Sequence, residues 1–257
     1  MLSQALLTHY ADLPGGNLET HHLTPGHIPA YEAHVHTHYQ FCFNPDEAGG
    51  YELAGRATPY ARARLFVVPP LRPHRPLPRR LDRDNRFLVL NVTAAEVARF
   101  AENVAVRLPD TTFAQPAVLT AYRELFGATT PADAVDTFLA HLPWRGVGAA
   151  PASDPAAVGR ARQYLAHHLD RRVSLTELAA HCYCSKYHLC RVFREAVGVP
   201  PLRYHRQLRA EEARRRLVTG ASVGEVSLAL GYHDPSHLRR QFRTVFGLPP
   251  SAYQKAQ

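Results

Sequence analysis

His34, His36 and His38 stand at alternate positions, and Gln40 continues the series. On an extended chain, residues two apart face the same way, so this stripe presents three imidazoles and an amide to one space. Such a set has the donors and acceptors to hydrogen-bond an organic ligand, and its imidazoles have the chemistry of metal ligands. A second set, Cys182-x-Cys184 with Cys190 and the neighbouring His181 and His188, has the residue types of a metal or redox site. Its helical pattern instead places Cys182 in a core, and a thiol switch is the weaker reading. Paired carboxylates, an activated serine and a phosphate-cradling glycine loop are not evident, so neither catalytic residues nor a cofactor are expected.

A third set is basic. Residues 1–154 hold 13 Lys+Arg against 15 Asp+Glu, whereas residues 155–257 hold 17 against 7. The net charges are therefore −2 and +10, and that segregation is the footprint of a polyanion-binding module joined to a neutral partner. The basic region also repeats itself. Ser174-Leu-Thr-Glu-Leu178 matches Ser222-Val-Gly-Glu-Val226 at an offset of 48, and His188-Leu189, Phe193-Arg194, Gly198, Pro201 and Tyr204 match His237-Leu238, Phe242-Arg243, Gly247, Pro250 and Tyr253 at 49.

Each copy reads as two helices joined by a short turn, the helix-turn-helix motif. Ser174 and Ser222 cap the first helices, with Glu177 and Glu225 completing capping boxes. Ser185 and Asp234 start the second helices, Pro235 sits where an N–H is dispensable, and Gly198 and Gly247 end them. Spacing turns Leu189, Val192, Phe193 and Ala196 inward, as it does Leu238, Gln241, Phe242 and Val245. It turns Tyr187, Cys190, Arg191 and Arg194 outward, with Lys186 beside them, and in the second copy Ser236, Arg239, Arg240 and Arg243. Arginine reads guanine edges bidentately in a major groove, so these faces have the chemistry of recognition helices for double-stranded DNA. A helical Leu202–Val218 connects the copies and is suited to set them about one DNA turn, roughly 34 Å, apart.

The elements ahead of this region differ. Tyr31–Phe43, Tyr51–Leu53, Ala63–Val68 and Phe87–Val92 read as strands, with turn chemistry at Asn44-Pro45-Asp46 and Gly49-Gly50, which suggests a small antiparallel barrel or sandwich. Thr93-Ala-Ala-Glu96 opens a helix expected to run to about Val106, and Ala117–Phe126 and Ala132–Leu142 repeat helical spacing. These helices are expected to pack on the barrel and are candidates to pair two chains as a homodimer; Trp144 belongs with their core. Gly146–Pro155 is the best linker. The expected division is thus 1–92 barrel, 93–145 helical segment, 146–155 linker and 156–257 DNA-binding domain, an α+β multidomain chain. No apolar run approaches the roughly 20 residues of a membrane span, no export signal is evident, and four cysteines suit a reducing compartment, so a cytoplasmic home without membrane contact is expected.

The residues Val223-x-x-Val226-x-x-x-Leu230-Gly231-Tyr232-x-x-x-Ser236-x-Leu238-x-Arg240-x-Phe242-x-x-x-Phe246-Gly247-x-x-Pro250-x-x-Tyr253 resemble the signature of AraC/XylS-type regulators. Leu178-Ala179 through Tyr204 is similar to the first helix-turn-helix of that family. The resemblance implies a sequence-specific transcription regulator, an activator that engages RNA polymerase, with base contacts at Tyr187, Cys190, Arg191, Ser236, Arg239 and Arg240. Cys190 departs from the longer polar residue usual there.

More loosely, His34-x-His36-x-x-Tyr39-Gln40, Phe66–Pro70 and Pro73-His74 resemble the cupin-like sensor domain of the same family. That implies a small-molecule effector bound near His34, His36, His38, Gln40 and His74, and places His34, His36 and His74 as the three imidazoles of a metal site, were there one. A metal-dependent cupin enzyme fused to a DNA reader is the alternative, and a nonspecific architectural DNA binder is a third reading.

Overall fold

The computed structural model describes residues 5–28, 33–45, 49–101, 106–108, 111–146, 156–246 and 249–254. The amino-terminal half is built on a hairpin of β1 (Ala5–Leu13) and β2 (Gly16–Leu23), then β3 (Gly26–Ile28), β4 (His38–Asn44), β5 (Gly49–Leu53), β6 (Arg56–Tyr60), β7 (Arg64–Val68), β8 (His74–Pro76), β9 (Arg79–Leu81) and β10 (Asn85–Thr93). Three helices follow, α1 (Ala94–Phe100), α2 (Pro116–Glu124) and α3 (Pro131–Ala140), interleaved with the short strands β11 (Val106–Arg107), β12 (Thr112–Phe113) and β13 (Arg145–Gly146).

Every pairing is antiparallel. The main sheet runs β1-β2-β10-β4-β7-β12, and a smaller one runs β6-β5-β8. Alternation along the main strands explains both faces. Leu18, Phe41, Phe43, Leu65, Val67, Leu90 and Val92 point to α1–α3 and meet Val97, Tyr122, Phe138 and Leu139 in one core. Cys42, Phe66, Val68 and Val89 point the other way and meet Tyr51 and Tyr60 of the smaller sheet. Tyr51 and Phe66 stack with centroids 4.5 Å apart. Each fully buried aromatic or Leu contributes roughly 1.5–3 kcal/mol. The Tyr122 hydroxyl pins α2 to the sheet by donating toward the carbonyls of Phe41 (2.7 Å) and Leu88 (3.1 Å).

Two expectations need correction here. The helix opened by Thr93 stops at Phe100 rather than near Val106, and Val106–Arg107 is a strand paired with Arg145–Gly146. Thr93 does accept from the Glu96 amide, but the Glu96 carboxylate turns to Arg99, so the capping box is half made. The histidine stripe is not one strand either. Only His38 and Gln40 lie in β4; His34 makes an isolated bridge to His74, which lies in β8.

The carboxy-terminal half is helical: α4 (Ala156–His167), α5 (Leu175–His181), α6 (Lys186–Val197), α7 (Pro201–Val218), α8 (Val223–Ala229), α9 (Pro235–Phe246) and α10 (Pro250–Gln254). Both capping boxes form, at Ser174 with Glu177 and at Ser222 with Glu225. Ser185 accepts from the His188 amide, and Asp234 from the His237 amide at 2.7 Å. Gly198 ends α6 in the left-handed conformation, φ 84°; the matching Gly247 lies outside the described residues, as does the 146–155 linker except for Gly146, which belongs to β13. Each helix-turn-helix has its own core, one around Leu178, Cys182, Leu189 and Phe193, the other around Val226, Leu230, Leu238 and Phe242. Ala196, expected to face inward, is exposed, and Val197 takes the buried place.

The two halves share these cores. Val35, after the first histidine, is buried with the first helix-turn-helix, and Leu7 of β1 with the second. Both contacts flank α7.

Candidate nucleic-acid interface

The second helix of each unit, α6 and α9, buries one stripe and exposes the other. On α6, Leu189, Val192, Phe193 and Val197 are inside, while Lys186, Tyr187, Arg191 and Arg194 are exposed and Cys190 is half-buried. On α9, Leu238 and Phe242 are inside, while Ser236, Arg239, Arg240 and Arg243 are exposed. Gln241 and Val245, expected inside, are half-buried. All nine predicted contact residues therefore lie on the outward faces, with Cys190 alone at the edge. Arg191 is held by Glu195 one turn on, Nη1 to Oε1 3.1 Å, an exposed pair that a base edge can displace.

Not every arginine of the basic half is available. Arg209 is buried, its Nε directed at the carbonyls of Leu169 (3.2 Å) and Leu230 (3.1 Å), with the guanidinium 4.3 Å above the Tyr232 ring. Arg214 is buried between Glu19 and Glu211. Composition alone cannot separate these from the outward set, because all of them sit in one basic, helical stretch.

The histidines of the stripe gather in the amino-terminal half. His36 and His38 rings stack at 4.1 Å, His34 and His74 lie 4.2 Å apart, and His36 and His74 lie 4.7 Å apart. His36 and His74 are buried, and each Nδ1 faces a backbone carbonyl, that of His38 at 2.7 Å and of Arg72 at 3.0 Å. A carbonyl only accepts, so each Nδ1 carries the proton and each Nε2 keeps a lone pair; among the described residues neither Nε2 has a partner. Burial holds both rings well below the ordinary histidine pKa. Gln40 is drawn off by Asn91 (3.3 Å), which in turn donates to Asn17 at 2.8 Å. Among the described residues no group of three or more His, Cys, Asp or Glu is placed to hold a metal ion. His34 also lines a cleft between the two halves, with Arg203, Arg206 and Gln207 of α7 and Gln241 and Thr244 of α9.

The cysteines are free thiols, with Cys42 and Cys182 buried. Cys182 fills the first helix-turn-helix core, and burial raises its thiol pKa, opposite to what a reactive thiolate needs. Among the described residues no helix is long and apolar enough to cross a membrane.

Two capped helix-turn-helix units with outward arginines define a DNA-binding domain of the helix-turn-helix class. A helix-turn-helix domain family matches residues 178–256, and the domain is of the AraC type found in transcription regulators. The MmsAB operon regulatory protein of Pseudomonas aeruginosa is 37% identical over 93 residues, 36% of this chain and 30% of that protein. The HTH-type transcriptional activator AarP of Providencia stuartii is 34% identical over 87 residues, 34% of this chain and 64% of that protein. The matched region thus spans less than two thirds of either relative. Over nearly the whole chain the fold is similar to that of ToxT from Vibrio cholerae, with a TM-score of 0.68 at 9% identity, covering 94% of this chain and 98% of that one. That likeness is one of fold.

Proposed function

We propose that this chain is a sequence-specific transcription regulator of the cytoplasm, an activator, whose DNA reading is controlled by a small molecule at the amino-terminal cupin-like domain. Lys186, Tyr187, Cys190, Arg191, Arg194, Ser236, Arg239, Arg240 and Arg243 contact DNA in this reading, and RNA polymerase is the further partner. The domains run 1–92, 93–145 and 156–257 about the 146–155 linker. The observation that carries the proposal is the pair of register-matched arginine faces, both exposed while the backs of their helices are packed.

The control element is supported by the contacts on α7, the helix between the two reading units. The Glu19 carboxylate of β2 pairs with Arg214, and the Val35 amide donates to Gln207 Oε1 at 3.4 Å. A ligand seated by His34, His36, His38, Gln40 and His74 touches the same boundary, since His34 lines the cleft with Arg203 and Gln207. Such a ligand meets different surroundings when the halves are docked and when they are apart, and that difference is what a switch requires. One solved ToxT structure of similar fold contains a bound unsaturated fatty acid, which makes small apolar acids a first class of effector to screen. The two unpartnered Nε2 lone pairs favour an effector with a donor group, including the hydroxyl of a protonated acid.

Selection of binding sites from a random duplex library with the full chain is the direct test. A regulator prefers its selected site over random duplex by about a thousandfold or more. Equal affinity for all duplexes would make the protein an architectural binder. Thermal-shift screening of small acids, repeated with His34→Ala, then tests the sensor site.

A further inference from the structure

The turn of the first helix-turn-helix carries a residue that packing does not explain. Tyr183 sits in the left-handed region, φ 55°, a conformation that L side chains avoid and that bulky residues rarely adopt. The second unit has glycine at the matching place, Gly231, φ 60°, and needs it: a Cβ there would lie 2.1 Å from the Asp170 carbonyl oxygen. At the first turn a side chain has room, but Tyr183 gains nothing by burial, because it is 86% exposed. Among the described residues its hydroxyl has no protein partner.

Its surroundings are those of an anion site. The Arg160 guanidinium of α4 lies 5.6 Å from the ring centroid. Arg160 is oriented by an Nη2 bond to the Cys182 carbonyl at 2.9 Å, while its buried Nε has no hydrogen-bond partner among the described residues. Two residues beyond Tyr183, Ser185 caps α6, and the exposed Lys186 and Tyr187 follow at once. The turn is thus continuous with the amino end of a recognition helix, the end that enters a groove between phosphate-lined walls.

The geometry points to Tyr183 and Arg160 as a DNA-backbone clamp beside the first recognition helix, in which the tyrosine hydroxyl and the guanidinium hold one phosphate. The glycine of the second turn leaves that unit without the clamp, so the two reading heads differ. The inference rests on the DNA-binding reading of α6. Phosphate contacts fix register and carry no base information, so the clamp strengthens binding to every sequence alike.

The test uses the full chain and a mixed-sequence duplex of about 30 base pairs, about three helical turns, with affinity read by fluorescence anisotropy across a salt series. Tyr183→Gly relieves the strained backbone and is expected to unfold at the same temperature as the parent or higher, yet to bind DNA about tenfold more weakly. Tyr183→Phe keeps ring and backbone and removes only the hydroxyl; it is expected to lose most of that tenfold. Arg160→Gln lowers the slope of log affinity against log salt by about one unit, and the tyrosine variants leave it unchanged. Binding within twofold of the parent for both tyrosine variants overturns the clamp, as does a loss confined to particular sequences. A parent chain that binds no duplex at all refutes the DNA reading itself and is distinguishable from either result.

Discussion

Arg214 of α7 and Glu19 of β2 form a buried ion pair across the boundary between the two halves. Neither charge is left to its partner alone. His21 lies 2.8 Å from the second Glu19 oxygen, and burial lowers its pKa to about 4, so it is neutral and donates. Glu211 takes the other side of Arg214 at 2.9 Å. A buried pair satisfied in this way adds little net stability, but removing one member strands the other. Glu19→Ala is therefore expected to cost about 3–5 kcal/mol, read by urea unfolding. Glu19→Leu combined with Arg214→Met should recover most of it. Full loss in the double variant would mean that the pair is more than a docking contact.

Gly198 meets the barrel at a second point. It is left-handed, φ 84°, and a Cβ on it would lie 2.2 Å from Pro73 Cγ. Gly198→Ala is expected to cost about 2–4 kcal/mol, from the backbone penalty and the clash together. Gly55 is the control: it is also left-handed, φ 81°, but among the described residues nothing lies within 4 Å of its would-be Cβ. Gly55→Ala should cost only the backbone part, about 1–2 kcal/mol. Equal midpoints for the two variants in thermal unfolding would show that Pro73 moves aside freely.

Six of the described histidines have depressed pKa values, chiefly through burial, His237 among them, and in five the shift is large: His36 and His74 fall well below the ordinary value, and His21, His38 and His205 fall to about 4. They stay neutral in the fold and take up protons only on unfolding, near pH 6.5. Their contribution to stability is therefore complete above that pH and is lost as pH falls from about 6.5 toward about 4. Each contributes at most about 1.4 kcal/mol per pH unit within that window. Unfolding free energies at pH 7.5, 6 and 5 should fall steadily, and His74→Asn should reduce proton uptake on unfolding by about one. A flat profile from pH 7 to 5 would contradict the burial of these rings.

The helical half was far more legible in the sequence than the barrel, and the reason is local. Ser174 with Glu177, Ser222 with Glu225, and Asp234 with Pro235 announce helix starts within four residues, and the 48–49 offset checks each assignment against its copy. Strands lack such punctuation. β1 and β2 read as mixed polar and apolar stretches because one end of the hairpin serves the other half of the molecule: Leu7 enters the second helix-turn-helix core and Glu19 faces Arg214. The same holds for Arg209 and Arg214, whose burial depends on Tyr232 and Glu19, partners remote in sequence. The histidine stripe kept its members but lost its geometry, because the pairing of His34 with His74 pulls the chain out of β4.

Arg240 and Arg209 belong to the same basic half and test what burial does to an arginine. Arg240 is exposed on α9, in register with Arg191 of α6. Arg240→Ala and Arg191→Ala are each expected to cost about 1–3 kcal/mol of binding to the selected site, to relax preference at one base pair, and to leave unfolding unchanged. Arg209 instead holds the Leu169 and Leu230 carbonyls and covers Tyr232, so it ties the loop after α4 to the end of α8. Arg209→Ala is expected to lower folding stability by about 1.5–3 kcal/mol and to affect DNA binding only through the unfolded fraction. Affinity measured on selected and random duplexes, beside urea unfolding of each variant, separates the two roles. A loss for Arg240→Ala that is equal on all duplexes would reassign that residue to the phosphates.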